Sequence, residues 1–526
     1  MFGIFLSAFL TLCGGGLCPA ADVAAAGYPF FTTSFVSPPF YTASISSLSQ
    51  RYTLLDPALR PVRLTEPVAQ TYGEIESRPE GKKVLSWETG ENRSCIIPAI
   101  EIPSFVLAFT LAARVILPND RVNGKLTYQS TPSTFFDHIF DPHWTFDLDK
   151  WNTSQINHPL MGTVYYGFAR SAGQDFWTSL GYTFMGSFLW ETGGETDYSS
   201  INDQFMTGII GAFFGESLFR MASLVLEGGG ENPGFWRELG ATFISPSAGF
   251  NRLVFGERFS PVFPSHDPAL FWRLDLEETN LVDSTGHVTG IPRVSVGADL
   301  SLLYGLPGKP GYSYDRPFDY FDFELAAATG PENLPQKVIT KGLIFGTDYE
   351  AGDAYRGIWG LYGSFDYINT PDFRVGTGAL DIGTNGQWWF SKRTALQLAA
   401  LTGIGYGAAG TVPGSVPDYH HGGAAQALLD LRLIFGDLAM LELGQREYFI
   451  DMFGRSKPTG NELMGRTEVG LTVRISGRHA VALKFLSARR DEYPPGSHNV
   501  QTMNQVTLSY TFMSDENFGA VEWREQ

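Results

Sequence analysis

His158, Glu191, Glu195, Asp203 and Glu216 sit within stretches that are otherwise strongly apolar. A histidine beside carboxylates can move protons, because imidazole accepts one near neutral pH and a carboxyl in apolar surroundings tends to keep one. These five residues are therefore the candidates for acid–base or ligand chemistry, with His158 as general base. Arg170 and Arg220 occur in the same stretches and offer a structural reading, in which each forms a buried ion pair with a carboxylate. Four carboxylates against two arginines leave an acidic excess, which would raise a pKa or bind a cation. The sequence has no HExxH motif and no paired cysteines, so neither a metal nor a cofactor is expected. Whether the chain is an enzyme stays open.

Helices must position these groups. Pro159 suits a first helical position, and a helix runs from there to about Ala172. Phe176–Trp190 forms a second helix, which Gly193–Gly194 ends. Ser200, Asn202 and Asp203 make a helix cap, with Asp203 placed to reach back as in a capping box, and a third helix follows to about Leu226. Thr207, Gly211 and Gly215 fall on one shallow stripe that invites a closely packed neighbour. Upstream, Pro98 and Pro103 confine the apolar run to one short helix, Phe105–Leu117. Phe135–Trp151 reads as a turn-rich loop anchored by Trp144 and Trp151, with solvated carboxylates that include Asp147 and Asp149.

The chain has 526 residues with 59 glycines, 14% aromatics, only 17% charged residues and a net charge of −18. That charge excludes a nucleic-acid partner. Residues 1–26 resemble a secretory signal, and its removal would leave Cys95 alone, without an intrachain disulfide. Residues 27–95 read as an extended leader or linker, 96–230 as a helical domain, and 231–290 as an irregular connection.

Beyond residue 290 the period changes to two. Val294, Val296, Ala298, Leu300 and Leu302 alternate with Ser295, Gly297, Asp299 and Ser301, and similar runs recur to Phe512. One face suits lipid and the other a polar interior, as in a transmembrane barrel. Short turns at 391–393, 436–437 and 476–478 alternate with long connections at 408–420, 452–462 and 490–500. Keeping that alternation upstream requires a further turn at Gly383–Gly386, which gives twelve strands over 291–512 and leaves 513–526 as a tail. His420–His421 reads as a pair at a strand edge.

Trp144, Phe146, Asp147, Asp149 and Trp151 are followed by Asn157-His158-Pro159, Gly162, Tyr165-Tyr166 and Ala169-Arg170. Phe176-Trp177, Trp190-Glu191, Ser200-Ile201-Asn202-Asp203, Gly215-Glu216 and Arg220 come next. In that order, over about Trp144–Arg252, they resemble a bacterial family of domains of unknown function, the one numbered 3943. The resemblance implies an envelope protein with a barrel-like remainder and no known reaction.

Together these readings predict an α+β membrane protein, an N-terminal helical domain followed by an antiparallel outer-membrane β-barrel of about twelve strands in a Gram-negative bacterium. The helical domain is expected to plug, gate or scaffold the barrel. The alternatives are an outer-membrane enzyme acting on lipid or another envelope substrate, and a channel for a small solute. The expected partners are outer-membrane lipid and the barrel-assembly machinery.

Overall fold

The computed structural model describes residues 83–526 except 120, 123–124, 148, 231, 286–293, 330–334, 371–372, 411–418, 453–459 and 525–526. The candidate signal and most of the 27–95 segment thus lie outside the described residues. Cys13 and Cys18, whose loss the expectation for Cys95 assumes, lie outside the described residues as well.

Seven helices precede the barrel among the described residues: α1 (Ile96–Ile116), α2 (Pro132–Phe140), α3 (His158–Ser171), α4 (Phe176–Leu189), α5 (Ile201–Glu227), α6 (Phe235–Ile244) and α7 (Pro246–Phe255). α1 is longer than expected. Pro98 lies in its first turn, where the missing N–H has no helical acceptor to lose, and Pro103 is carried inside it. Asn157 and the four residues before it make a π-helical turn leading into α3, and Met206–Ile210 forms another within α5. α3 and α5 cross at the predicted small-residue stripe. A Cβ on Gly211 would sit 2.5 Å from the Gly162 Cα, and one on Gly215 would sit 2.9 Å from the Tyr166 Cβ.

The barrel closes from twelve antiparallel strands, each paired with its sequence neighbour and the last with the first. They are β1 (Leu270–Thr285), β2 (Val294–Tyr304), β3 (Phe321–Ala328), β4 (Lys337–Ala351), β5 (Tyr355–Asn369) and β6 (Arg374–Trp389). β7 (Thr394–Gly410), β8 (Tyr419–Phe435), β9 (Ala439–Met452), β10 (Asn461–Ser476), β11 (His479–Tyr493) and β12 (Asn499–Met513) complete it. The tight turns reverse at Gly352, Gly436 and Gly477, whose φ values of 61°, 58° and 52° favour glycine.

Two boundaries differ from expectation. Residues 231–290 are not an irregular connection, because they hold α6, α7 and β1, so the barrel starts at Leu270. β1 does alternate, Trp272, Leu274 and Leu276 against Arg273, Asp275 and Glu277, but its inward face is charged and its surroundings are rich in proline. Conversely, no turn interrupts β6 at Gly383–Gly386, and the strand runs unbroken for 16 residues. Its glycines serve close approach instead. A Cβ on Gly376 would strike Gln155, and one on Gly378 would strike Ile210. Twelve strands therefore result from gaining β1 and losing the split.

The helical layer does not plug the barrel. On β4 to β8 the exposed outward positions Phe345, Trp359, Leu380, Ile404 and Phe435 fix which side chains face away from the lumen. By that parity, which the bulge at Ile344 reverses along β4, Thr340, Phe365, Tyr367, Tyr406, Tyr419 and His421 also point outward, yet all are buried. Helices cover them. Phe214 lies 5.9 Å from Phe365 and 6.2 Å from Phe323 between ring centroids, and Trp151 stacks on Tyr367 at 6.1 Å. Ser217 Oγ lies 2.6 Å from Thr340 Oγ1. The layer thus packs on the outer wall, over the halves of β4–β8 next to connections 329–336, 370–373 and 411–418. The expected plug is thus replaced by an outer layer, whose buried Glu216 finds Arg170 and Arg220 within the layer itself.

The lumen is filled by the barrel's own residues. A mid-level belt of ion pairs crosses it: Arg273–Glu442 at 2.5 Å, Lys484–Asp275 at 2.7 Å, Lys337–Glu324 at 2.7 Å and Arg446–Glu324 at 3.0 Å. These line a cavity of about 150 Å³. Toward the long connections, buried Ile368, Phe373, Tyr448, Ile450, Met464 and Met503 form an apolar layer. At the turn end the C-terminal tail folds inward. Buried Phe518 packs with Phe271, Trp389 and Met440, Arg432 Nη2 donates to the Phe518 carbonyl at 3.0 Å, and Gln397 Nε2 donates to the Gly519 carbonyl at 2.8 Å.

Candidate functional site

The polar residues of the helical layer separate into two buried groups. In the first, Glu216 is fully buried and accepts from Arg170 Nε at 2.9 Å, Arg220 Nε at 2.7 Å and the Tyr166 hydroxyl at 2.7 Å. Arg220 also donates to Asp319 Oδ1 at 2.9 Å and to the Pro317 carbonyl at 2.6 Å, tying α5 to the chain between β2 and β3. Phe263 lies under both guanidinium groups, 4.6 Å from that of Arg170 and 5.2 Å from that of Arg220. Every charge here has a partner, so this group holds the layer together.

The second group contains the other candidates. His158 opens α3 and is 6% exposed. Its Nδ1 lies 3.0 Å from Thr207 Oγ1, and its Nε2 faces Asp203 Oδ2 at 3.5 Å without making a hydrogen bond. Asp203 Oδ1 accepts from Ser154 Oγ and from Asn202 Nδ2, each at 3.2 Å. The Asp203 amide donates to Ser200 Oγ at 3.1 Å, which caps α5 at its first turn. The Asp203 carboxylate does not reach back as a capping box would, because Ser154 and Asn202 occupy it. Asn202 also donates to Asp147 Oδ1 at 2.8 Å and accepts from the Asp147 amide at 3.1 Å. Glu191 accepts from the Ser200 amide at 2.7 Å, and Glu195 accepts from Trp190 Nε1 at 3.0 Å.

Electrostatics sharpen the contrast between the groups. Burial, then the neighbouring Asp203, holds the Asp147 carboxyl well above the usual carboxylate range. Burial and nearby carboxylates do the same to Glu191 and Glu195. Burial pushes His158 down to about 4, so it is neutral at physiological pH. The strongest influences on Asp147 and Asp203 are burial, each other, Asn202, Ser200, Ser154 and His158, and none of these side chains is an arginine or lysine.

The barrel wall supplies the other side of this group. Tyr406, Tyr419 and His421 face it from β7 and β8, with the Phe146 ring 5.8 Å from that of His421. Both tyrosine hydroxyls and both His421 ring nitrogens are buried without a hydrogen-bond partner. The sequence reading missed Asp147, Ser154, Thr207, Tyr406, Tyr419 and His421 as members. A signal was available: polar or glycine residues at outward strand positions, where lipid calls for apolar side chains.

Residues 143–247 match the family model of a domain of unknown function, DUF3943. Both polar groups of the DUF3943 region, apart from Asp319 and the wall residues, fall inside that match. The NanC porin is similar in part, at 8% identity over 45% of this chain and 98% of that chain, with a TM-score of 0.27. An outer membrane channel from Pseudomonas putida F1 shows 11% identity over 47% and 96%, TM-score 0.27. The outer membrane channel DcaP of Acinetobacter baumannii shows 7% identity over 46% and 96%, TM-score 0.23. Likenesses this distant carry no argument about activity. No curated protein matches the chain.

Proposed function

We propose that this chain is an outer-membrane protein of a Gram-negative envelope in which a sealed twelve-stranded barrel is the support for the DUF3943 region on its outer wall. What supports the reading is the lumen, where an apolar layer packs toward one end, the tail around Phe518 packs at the other, and the ion-pair belt lies between them. Exposed Leu441, Leu471, Leu483 and Leu508 give the uncovered strands an apolar outer band that suits lipid. A scaffold of this kind passes no solute. Reconstituted into planar bilayers, the full chain should show no stable conductance, and discrete channel openings would overturn the reading in favour of a pore.

A second reading has one observation in its favour. The His158–Asp203 group lies between the helices and the outer wall, the side from which a lipid could approach. In that reading His158 acts as general base on an envelope lipid, with the Asp203 carboxylate beside it at 3.5 Å. Incubating the folded protein with envelope lipids and following them by mass spectrometry tests it. A product that disappears with His158→Gln supports catalysis, and unchanged lipids exclude it.

A further inference from the structure

We infer that His158, Asp203 and Asp149 form a binding site for one divalent transition-metal ion, buried between the helical layer and the barrel wall. The inference stands whether or not the barrel conducts.

Three observations carry it. First, one ligand atom from each of these residues can be chosen so that all lie within 4.8 Å of one another. Donors about 2.1 Å from a shared ion are at most ~4.2 Å apart, so closure needs a shift of under about 1 Å. Second, His158 is presented as metal-bound histidines are. One ring nitrogen is anchored, Nδ1 against Thr207 Oγ1 at 3.0 Å, while the buried Nε2 has no hydrogen-bond partner and points at Asp203 Oδ2. With the proton on Nδ1, two lone-pair-bearing atoms face each other across 3.5 Å, an arrangement that a cation between them would stabilise. Third, the same layer shows how the fold treats a buried carboxylate that needs no ion. Glu216 has Arg170 and Arg220 against it, whereas Asp203 and Asp147 meet neutral amides, hydroxyls and each other.

The supporting shell is already in place. Ser154 and Asn202 occupy Asp203 Oδ1 and leave Oδ2 to the ion, and Asn202 also holds Asp147 close by. Imidazole with carboxylates favours Zn²⁺ or a neighbour in the first transition row over Ca²⁺. A second grouping, His420 with Glu462 and Glu492, is the instructive contrast. There Arg490 already occupies both Glu462 oxygens, at 2.8 and 2.9 Å, so that group is neutralised without an ion.

The test uses the full chain in detergent, stripped with chelator and then titrated with Zn²⁺, with bound metal measured by elemental analysis. The parent should bind about one equivalent, and a large excess of Ca²⁺ should not displace it. His158→Gln, Asp203→Asn and Asp149→Asn should each weaken binding at least ~10-fold, the scale on which even supporting residues act, and His420→Gln should not. Heat-modifiable migration on gels reports folding of each variant. Asp149 is only half-buried, so Asp149→Asn keeps the test available if a buried variant misfolds. Zn²⁺ uptake by the parent no greater than a detergent blank overturns the inference. So does parent-like affinity in a folded His158→Gln or Asp149→Asn, or ready displacement by Ca²⁺.

Discussion

Arg220 joins the helical layer to the barrel, so its loss measures how far the two depend on each other. In the parent its guanidinium holds Glu216 at 2.7 Å, Asp319 at 2.9 Å and the Pro317 carbonyl at 2.6 Å, with the side chain 1% exposed. Removing one partner of a buried pair typically costs about 3–5 kcal/mol, because the remaining charge is left without compensation. Here Glu216 keeps Arg170 and Asp319 keeps Arg316, at 2.9 and 3.0 Å, so Arg220→Ala should fall near the lower end, about 3 kcal/mol. Each kcal/mol shifts the melting temperature by roughly 2–4 °C in a unit of 150–250 residues and by less in one that runs from Val84 to Gln526, giving a loss of at most about 6–12 °C. Arg170→Ala combined with Arg220→Ala strips Glu216 of both cations and should cost more than either alone, and adding Glu216→Gln should recover part of the loss. Thermal melts in detergent, followed by tryptophan fluorescence, read all four. Melting temperatures for Arg170→Ala and Arg220→Ala within about 2 °C of the parent would refute the buried network.

The crossing of α3 and α5 and the closure of the lumen give two more expectations. Gly211→Leu puts a side chain where the Gly162 Cα lies 2.5 Å from a bare Cβ, so the helical layer should lose its protection from proteolysis while the barrel stays heat-modifiable. Unchanged proteolysis would remove the close crossing. Truncation after Met513 removes the Phe518 plug and its hydrogen bonds to Arg432 and Gln397, and should raise bilayer conductance above that of the full chain. An identical, silent trace would show that the apolar layer around Tyr448 seals the barrel unaided.

Much of this architecture is legible in the sequence because lipid and lumen impose a period of two on every strand. The alternation Val294–Tyr304 shows β2 directly. β1 carries the same alternation, but Arg273, Asp275 and Glu277 on its inner face make it look like a polar connection. β6 misleads for a different reason: the alternation of short and long connections asks for a reversal at Gly383–Gly386, yet those glycines are small because the Ala400 carbonyl and the Tyr355 hydroxyl press against the strand. That pressure comes from the neighbouring strands β5 and β7, which no local pattern reports. The site was half visible for the same reason. His158, Glu191, Glu195, Asp203 and Glu216 stand out as charges in apolar runs, but their partition into an arginine-paired Glu216 and a histidine–carboxylate group depends on tertiary contacts. Asp147 looks like a solvated loop carboxylate until Asn202 is found across from it at 2.8 Å.

The central claim is that the helices lie on the outer wall of the barrel and not in its lumen, and a cysteine cross-link tests it directly. Ser217 Oγ and Thr340 Oγ1 are 2.6 Å apart, with Thr340 on the outward face of β4 and Lys341 on the inward face, 3.3 Å from Asp322. In the full chain, Ser217→Cys with Thr340→Cys should oxidise to an intrachain disulfide, identified by mass spectrometry of the linked peptides, while Ser217→Cys with Lys341→Cys should remain reduced. A disulfide formed from the lumen position 341 and none from position 340 would place the helices inside the barrel and contradict the account.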